Sequence, residues 1–107
     1  MSNEDLARRV VRSKHWRWMP GMLTDVGERV TDTETSYLGT LPDLTDPATV
    51  GCLLALVLLA YRDMEFRMTY SPSNGWWCAY AGEVPALHTH MGLSQAAVLV
   101  AALRAAP

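Results

Sequence analysis

Residues 46–61 read DPATVGCLLALVLLAY. Asp46 can accept the first free amide hydrogens of a helix, and Pro47 suits the first helical position. The spacing predicts a helix from Asp46 to about Tyr61. Val50, Leu53, Leu54, Leu56, Val57, Leu58 and Leu59 cover nearly its whole circumference, and a helix of that kind is buried on most sides. It is expected to be the spine of the fold or to pack across a subunit interface. The apolar run from Val50 to Tyr61 is shorter than the ~18 residues that span a bilayer. Arg62 and Asp63 close it on one side and Asp46 on the other, so a membrane role is not expected.

Downstream, the period changes from helical to alternating. Phe66, Met68 and Tyr70 fall on one side of an extended chain, and Glu65, Arg67 and Thr69 on the other, which is the pattern of a half-buried strand. Asn74-Gly75 is a favourable hairpin turn, and Trp76 to Tyr80 returns as a second strand. Val84 to Thr89 reads as a third. Ser94 then caps a last helix reaching Ala106, with Ala96, Leu99, Val100 and Leu103 in one apolar stripe.

Upstream, Ser2 and Asp5 form a capping pair for a helix over residues 3–14. Beyond that helix, Pro20-Gly21, Gly27, Gly39 and Pro42 punctuate the chain. Short strands are expected near Trp16–Met19, Leu23–Val30 and Thr35–Leu41, with a polar turn from Thr31 to Thr35. The fold class is therefore α+β. An antiparallel sheet of about five short strands should carry the two longer helices packed on one face, with a short N-terminal helix beside them.

The chain has 107 residues, is half hydrophobic, and has a net charge of −2. One small domain spanning residues 1–107 accounts for that length. Such a domain has little room for both a core and a deep substrate cleft. Near-neutrality excludes binding to nucleic acid by bulk charge. Two cysteines are too few for a disulfide scaffold. The polar, acidic N-terminus does not read as a secretory signal, so a cytoplasmic protein is expected.

The distribution of charge says more than its sum. Arg8, Arg9, Arg12, Lys14 and Arg17 lie within ten positions with no acid among them. Asp25, Glu28, Asp32, Glu34, Asp43 and Asp46 come next, interrupted only by Arg29. The basic segment also holds His15, Trp16 and Trp18, a combination that can contact nucleic acid by charge and stacking. The plainer reading is a solvated helix face followed by core tryptophans, and it is preferred because no nucleic-acid motif is present. A third reading pairs the basic and acidic stretches with each other, within a chain or between chains.

His88 and His90 fall on one face of a strand. Two histidines do not complete a zinc site, and Cys78, Glu83 or His15 would have to be brought close. Cys52 and Cys78 read as buried thiols and not as nucleophiles. No phosphate loop, nucleophile elbow or His-Glu-x-x-His motif is present. No catalytic residue, metal or cofactor is expected. The tryptophan pair is different. Adjacent strand residues point to opposite faces, so Trp76 and Trp77 cannot both be core on one side. Trp and Arg are common interface anchors, which makes Arg8, Arg9, Arg12, Arg17, Trp76 and Trp77 the expected partner-binding residues.

Three stretches carry a family resemblance. They are Trp16-Arg17-Trp18-Met19-Pro20-Gly21-Met22, residues 41–53 (LPDLTDPATVGCL), and the ending Val100 to Pro107 (VAALRAAP). Together they cover 28 of the 107 residues, about a quarter of the chain. They resemble a set of small uncharacterised proteins of phage and prophage genomes. The resemblance implies a phage or mobile-element origin and transfers no catalytic residue. Small phage proteins often act by binding a host protein, as inhibitors of bacterial immunity such as anti-CRISPR proteins do. The expectation is a non-enzymatic phage accessory protein that binds a host protein in the host cytoplasm. Its alternatives are a homodimeric or larger structural module, and a nucleic-acid binder using the basic N-terminal segment.

Overall fold

The computed structural model describes residues 2–31, 40–62, 64–82 and 88–107, with the side chains of residues 88 and 89 left aside. Three helices and a three-stranded antiparallel sheet form an α+β fold. In chain order these are α1 (Asn3–Val10), α2 (Pro47–Ala60), β1 (Phe66–Ser71), β2 (Trp76–Ala81), β3 (His88–Gly92) and α3 (Gln95–Ala105).

Helix α1 starts as its sequence dictates, with the Ser2 hydroxyl accepting from the Asp5 amide at 3.1 Å. It ends four residues earlier than expected. The Arg12 and Ser13 amides bond back three residues, to Arg9 and Val10, which tightens the last turn. The Ser13 hydroxyl then accepts from the His15 amide and donates to the Leu103 carbonyl in α3. This side chain turns the backbone out of the helix and ties it to the end of α3.

The strands expected at Trp16–Met19 and Leu23–Val30 do not form. Residues 16–19 have no regular structure, and residues 20–30 hold turns with two isolated bridges, Leu23 to Arg29 and Thr24 to Pro42. Gly27 (φ +86°) interrupts the strand expected at Leu23–Val30, because left-handed backbone cannot continue a ladder. Most of the strand expected at Thr35–Leu41, and most of the turn at Thr31–Thr35, lie outside the described residues.

The loop is pinned to the start of α2. The Asp46 carboxylate accepts from both the amide and the hydroxyl of Thr49 at 3.0 Å, and the Thr49 hydroxyl accepts from the Leu23 amide at 2.9 Å. Arg29 clamps Asp46 from outside with two hydrogen bonds, at 2.7 and 3.3 Å, and also donates to the Gly21 carbonyl. The Arg29 bond, followed by those from Thr49, holds the Asp46 carboxyl below the usual carboxylate range. A lowered native pKa stabilises the fold above the unfolded value and ceases to do so as pH falls through the native one. Asp46→Asn keeps one capping oxygen, and removes the charge together with one of the two acceptors that Arg29 uses. The gap in melting temperature between wild type and Asp46→Asn is therefore expected to be widest near neutral pH and to close below about pH 4. A gap independent of pH would show that the charge contributes nothing.

The hairpin forms with its expected strands, β1 and β2, in a register that pairs Phe66 with Ala81 and Tyr70 with Trp77. Its four-residue turn has left-handed backbone at Gly75 (φ +73°) and not at Asn74, whose side chain instead accepts from the Trp76 amide at 3.0 Å. The first four residues of the strand expected at Val84–Thr89 lie outside the described residues. The third strand, His88–Gly92, pairs with β2. It runs up to the cap of α3 because Gly92 lies against that helix. A Cβ at Gly92 would come within 3.1 Å of Val98 and 3.3 Å of the Ala97 methyl, so any larger residue would push strand and helix apart.

Helix α3, not α2, is the hub. It touches α1, α2, β2 and β3, and Ala96, Val98, Leu99, Val100, Ala102 and Leu103 are all buried. Its alanines let several elements approach closely. Helix α2 packs chiefly on α3 through Leu53, Leu56 and Val57. The expectation that two helices lie side by side on one sheet face is thus corrected: α3 covers the sheet, and α1 and α2 pack on α3.

Candidate partner-binding pocket

The residues after α1 and the end of α2 meet to form a pocket of about 580 Å³. Leu59 and Tyr61 from the end of α2 and Met64 beyond it supply the apolar wall, and Trp16 closes the other side. Lys14, Arg17 and Arg62 stand at its rim, and all three are exposed.

The wall is fixed from below. Tyr61 is 2% exposed, and its hydroxyl donates to the Ala102 carbonyl at 2.7 Å. Ala102 lies in the last turn of α3, where carbonyls lack helical partners, so Tyr61 caps α3 with its side chain. The Met64 amide bonds to the Tyr61 carbonyl at 2.8 Å, and Phe66 stacks on the Tyr61 ring at 5.7 Å. On the opposite side, Trp16 meets Trp18 edge-on at 5.4 Å, and both pack against the core. The Nε2 atom of His15 is buried and has no hydrogen-bond partner among the described residues.

Among the described residues none of the three rim cations is ion-paired. The ion pairs are Arg8 with Glu4 and Arg29 with Asp46. Neither of these joins the basic stretch of residues 8–17 to the acidic one of residues 25–46, so the third reading, in its within-chain form, finds no ion pair among the described residues. A second, shallower pocket lies at the acidic end, where Glu4, Asp25 and Asp43 gather beside Leu41 to Leu44. The molecule is thus basic at the end of α2 and acidic near its start.

The expected partner-binding residues are divided among three places. Arg17 lines the basic pocket. Arg8 and Arg9 ride on the solvent side of α1, Arg8 held by Glu4, and Arg12 is exposed just after that helix. Trp76 and Trp77 begin β2 at the hairpin turn. That end lies roughly 17 Å beyond Phe66, five strand steps away. Trp77 shares the face of Ala79 and Ala81 toward α3 and lies 4.9 Å from Tyr70. Trp76 is on the outer face with Cys78, Tyr80 and Met91. Both indoles are half-buried.

The pocket residues that sequence reasoning missed are Leu59, Tyr61, Arg62 and Met64. Arg62 has a visible signal, as the first charge after the apolar run.

The geometry also bears on nucleophilic and metal chemistry. Register pairs Cys78 with Met91, and His88 and His90 with Ala81 and Ala79, so Cys78 is on the opposite face of the sheet from positions 88 and 90. Cys52 donates to the Pro20 carbonyl at 3.6 Å, and burial pushes its thiol pKa up, which disfavours the thiolate a nucleophile needs. Both thiols are free. Among the described residues no three His, Cys, Asp or Glu side chains are grouped to hold a metal ion. Among the described residues no helix is long and apolar enough to cross a membrane.

Comparison with protein-family models, curated proteins and solved structures finds no match.

Proposed function

We propose that this protein acts by binding another protein at the basic pocket and carries out no catalysis of its own. The observation that supports this reading is the juxtaposition of three cations unpaired among the described residues with an apolar wall of Leu59, Tyr61 and Met64. A buried apolar and aromatic centre with a charged rim is the composition of protein interfaces, and Arg, Tyr and Trp are their usual anchors. The matching partner is an acidic segment that also presents an apolar side chain. The apolar wall of Leu59 and Met64 favours protein over nucleic acid, because aliphatic side chains give bases no stacking surface.

The resemblance of residues 16–22, 41–53 and 100–107 to small phage and prophage proteins supports a host protein as the partner. Inhibition of a bacterial immunity protein is the specific form this reading takes. The test is capture from host lysate by wild type and by the double variant Lys14→Glu, Arg17→Glu. Both side chains are exposed, so the variant should fold. Wild type is expected to retain a stoichiometric partner, and the charge reversal to weaken retention at least tenfold, as does raising the salt. Absence of a partner, or capture indifferent to the reversal, would sink the reading.

A further inference from the structure

The outward side of α2 carries no polar group from Pro47 to Ala60. Pro47, Ala48, Gly51, Ala55, Leu58 and Leu59 are all exposed, Leu58 by 48% and Leu59 by 52%. At about 100° per residue these positions fall within an arc of roughly 120°, one continuous face. The opposite side of the helix, with Leu53, Leu56 and Val57, is used against α3.

Gly51 sits in the middle of this face. A glycine inside a helix costs stability relative to alanine, and here nothing within the described chain requires it. A Cβ at Gly51 would meet no atom within 4 Å. The residue leaves a notch in an otherwise filled surface, one helical turn from Ala55 and two from Leu58.

The charges at the ends of the helix are opposite. Asp43 and Asp46 precede α2 with Arg29 beside them, a net charge of −1, while Arg62, Asp63 and Glu65 follow it with Lys14 and Arg17 alongside, a net charge of +1. Asp46 is engaged by Arg29, but Asp43 has no ion pair among the described residues. Two copies laid antiparallel bring each basic end to the other's acidic end, and their helix dipoles also oppose. Two parallel copies would set like charges together. An isologous contact requires this kind of self-complementarity.

We propose that this face is the interface of a homodimer. The α2 helices of two copies cross antiparallel about a two-fold axis near Ala55. Leu58 and Leu59 of each copy seat at the Gly51 notch of the other, and Arg62 of each lies toward Asp43 of the other. The helix is only about 21 Å long. The contact therefore belongs among small interfaces, with dissociation on the order of micromolar.

Sedimentation velocity across a concentration series from low micromolar to near millimolar tests this. Wild type should pass from monomer to dimer within the series. Ala55→Arg sets like charges against each other at the axis and should leave a monomer throughout, with an unchanged melting curve when dilute. Gly51→Ala fills the notch. It should weaken the dimer at least tenfold while raising the melting temperature of the dilute monomer, a combination that a general loss of structure cannot produce. A wild type that stays monomeric overturns the proposal, as does a dimer that survives Ala55→Arg. So does a different protein from the lysate that depends on Ala55 while the chain itself stays monomeric. Leu59 and Arg62 belong to both this face and the basic pocket, whereas Gly51 and Ala55 lie outside that pocket, so the variants at 51 and 55 test this contact apart from the pocket reading.

Discussion

Replacing Leu99 with alanine is expected to cost about 2–5 kcal/mol, while Leu58→Ala is expected to change stability by no more than about 0.5 kcal/mol in dilute, monomeric solution. Both residues are leucines on helices, and Leu58 belongs to the more apolar of the two. They differ in what surrounds them. Leu99 is fully buried, on a helix that touches α1, α2, β2 and β3. Several elements meet there, so the surroundings cannot all close on the space left by the lost side chain. The cavity then adds to the lost transfer energy. Domains of this size are stable by about 5–15 kcal/mol, so Leu99→Ala removes a large fraction of the total. Urea midpoints at constant slope would show the difference. Equal costs at the two positions would mean that α3 is not the hub.

That contrast marks how far the fold is legible in the residues alone. Local signals are reliable wherever one residue's chemistry decides the matter. Ser2, Asp46 and Ser94 cap the three helices as their side chains require. The alternation from Phe66 to Tyr70 is the hairpin's first strand. The same reasoning errs where tertiary contact decides. Residues 46–61 hold the densest apolar run, which predicts either the spine or a helix packed across a subunit interface, and the hub is the alanine-rich α3. Hydropathy measures how strongly a face avoids water, but small side chains determine how many neighbours can come close. Gly27 falls inside the strand expected from Leu23 to Val30, whereas its left-handed backbone turns the chain back so that Leu23 meets Arg29 in an isolated bridge. The site is half visible. The basic run contains Lys14 and Arg17, but Tyr61, Arg62 and Met64 lie more than forty positions downstream. Only the docking of both segments at the end of α3, through Ser13 and Tyr61, brings them together. No periodicity in a single sequence encodes that meeting.

Tyr61 makes the dependence of the site on this docking measurable. Tyr61→Phe removes one hydroxyl and leaves the Ala102 carbonyl without that donor, in a place where Tyr61 is almost fully buried. The expected cost is about 1–3 kcal/mol. The phenylalanine ring still stacks on Phe66 and still forms the pocket wall, so capture of the partner should survive at temperatures where the variant is folded. Tyr61→Ala removes the ring as well and should cost about 3–5 kcal/mol, with partner capture lost even when the chain is folded, because Leu59 and Met64 no longer have a fixed surface between them. The hydroxyl is the protonated form of a group whose pKa burial pushes up. Its stabilising effect is therefore complete below about pH 10, the ordinary tyrosine value, and is lost as pH rises from there through the native value. Tyr61→Phe lacks the titrating group, so its gap from wild type should narrow in that alkaline range and stay constant below it. If Tyr61→Phe were as stable as wild type, the hydroxyl would not be what holds α2 to the end of α3, and the pocket would owe its shape to ring packing alone.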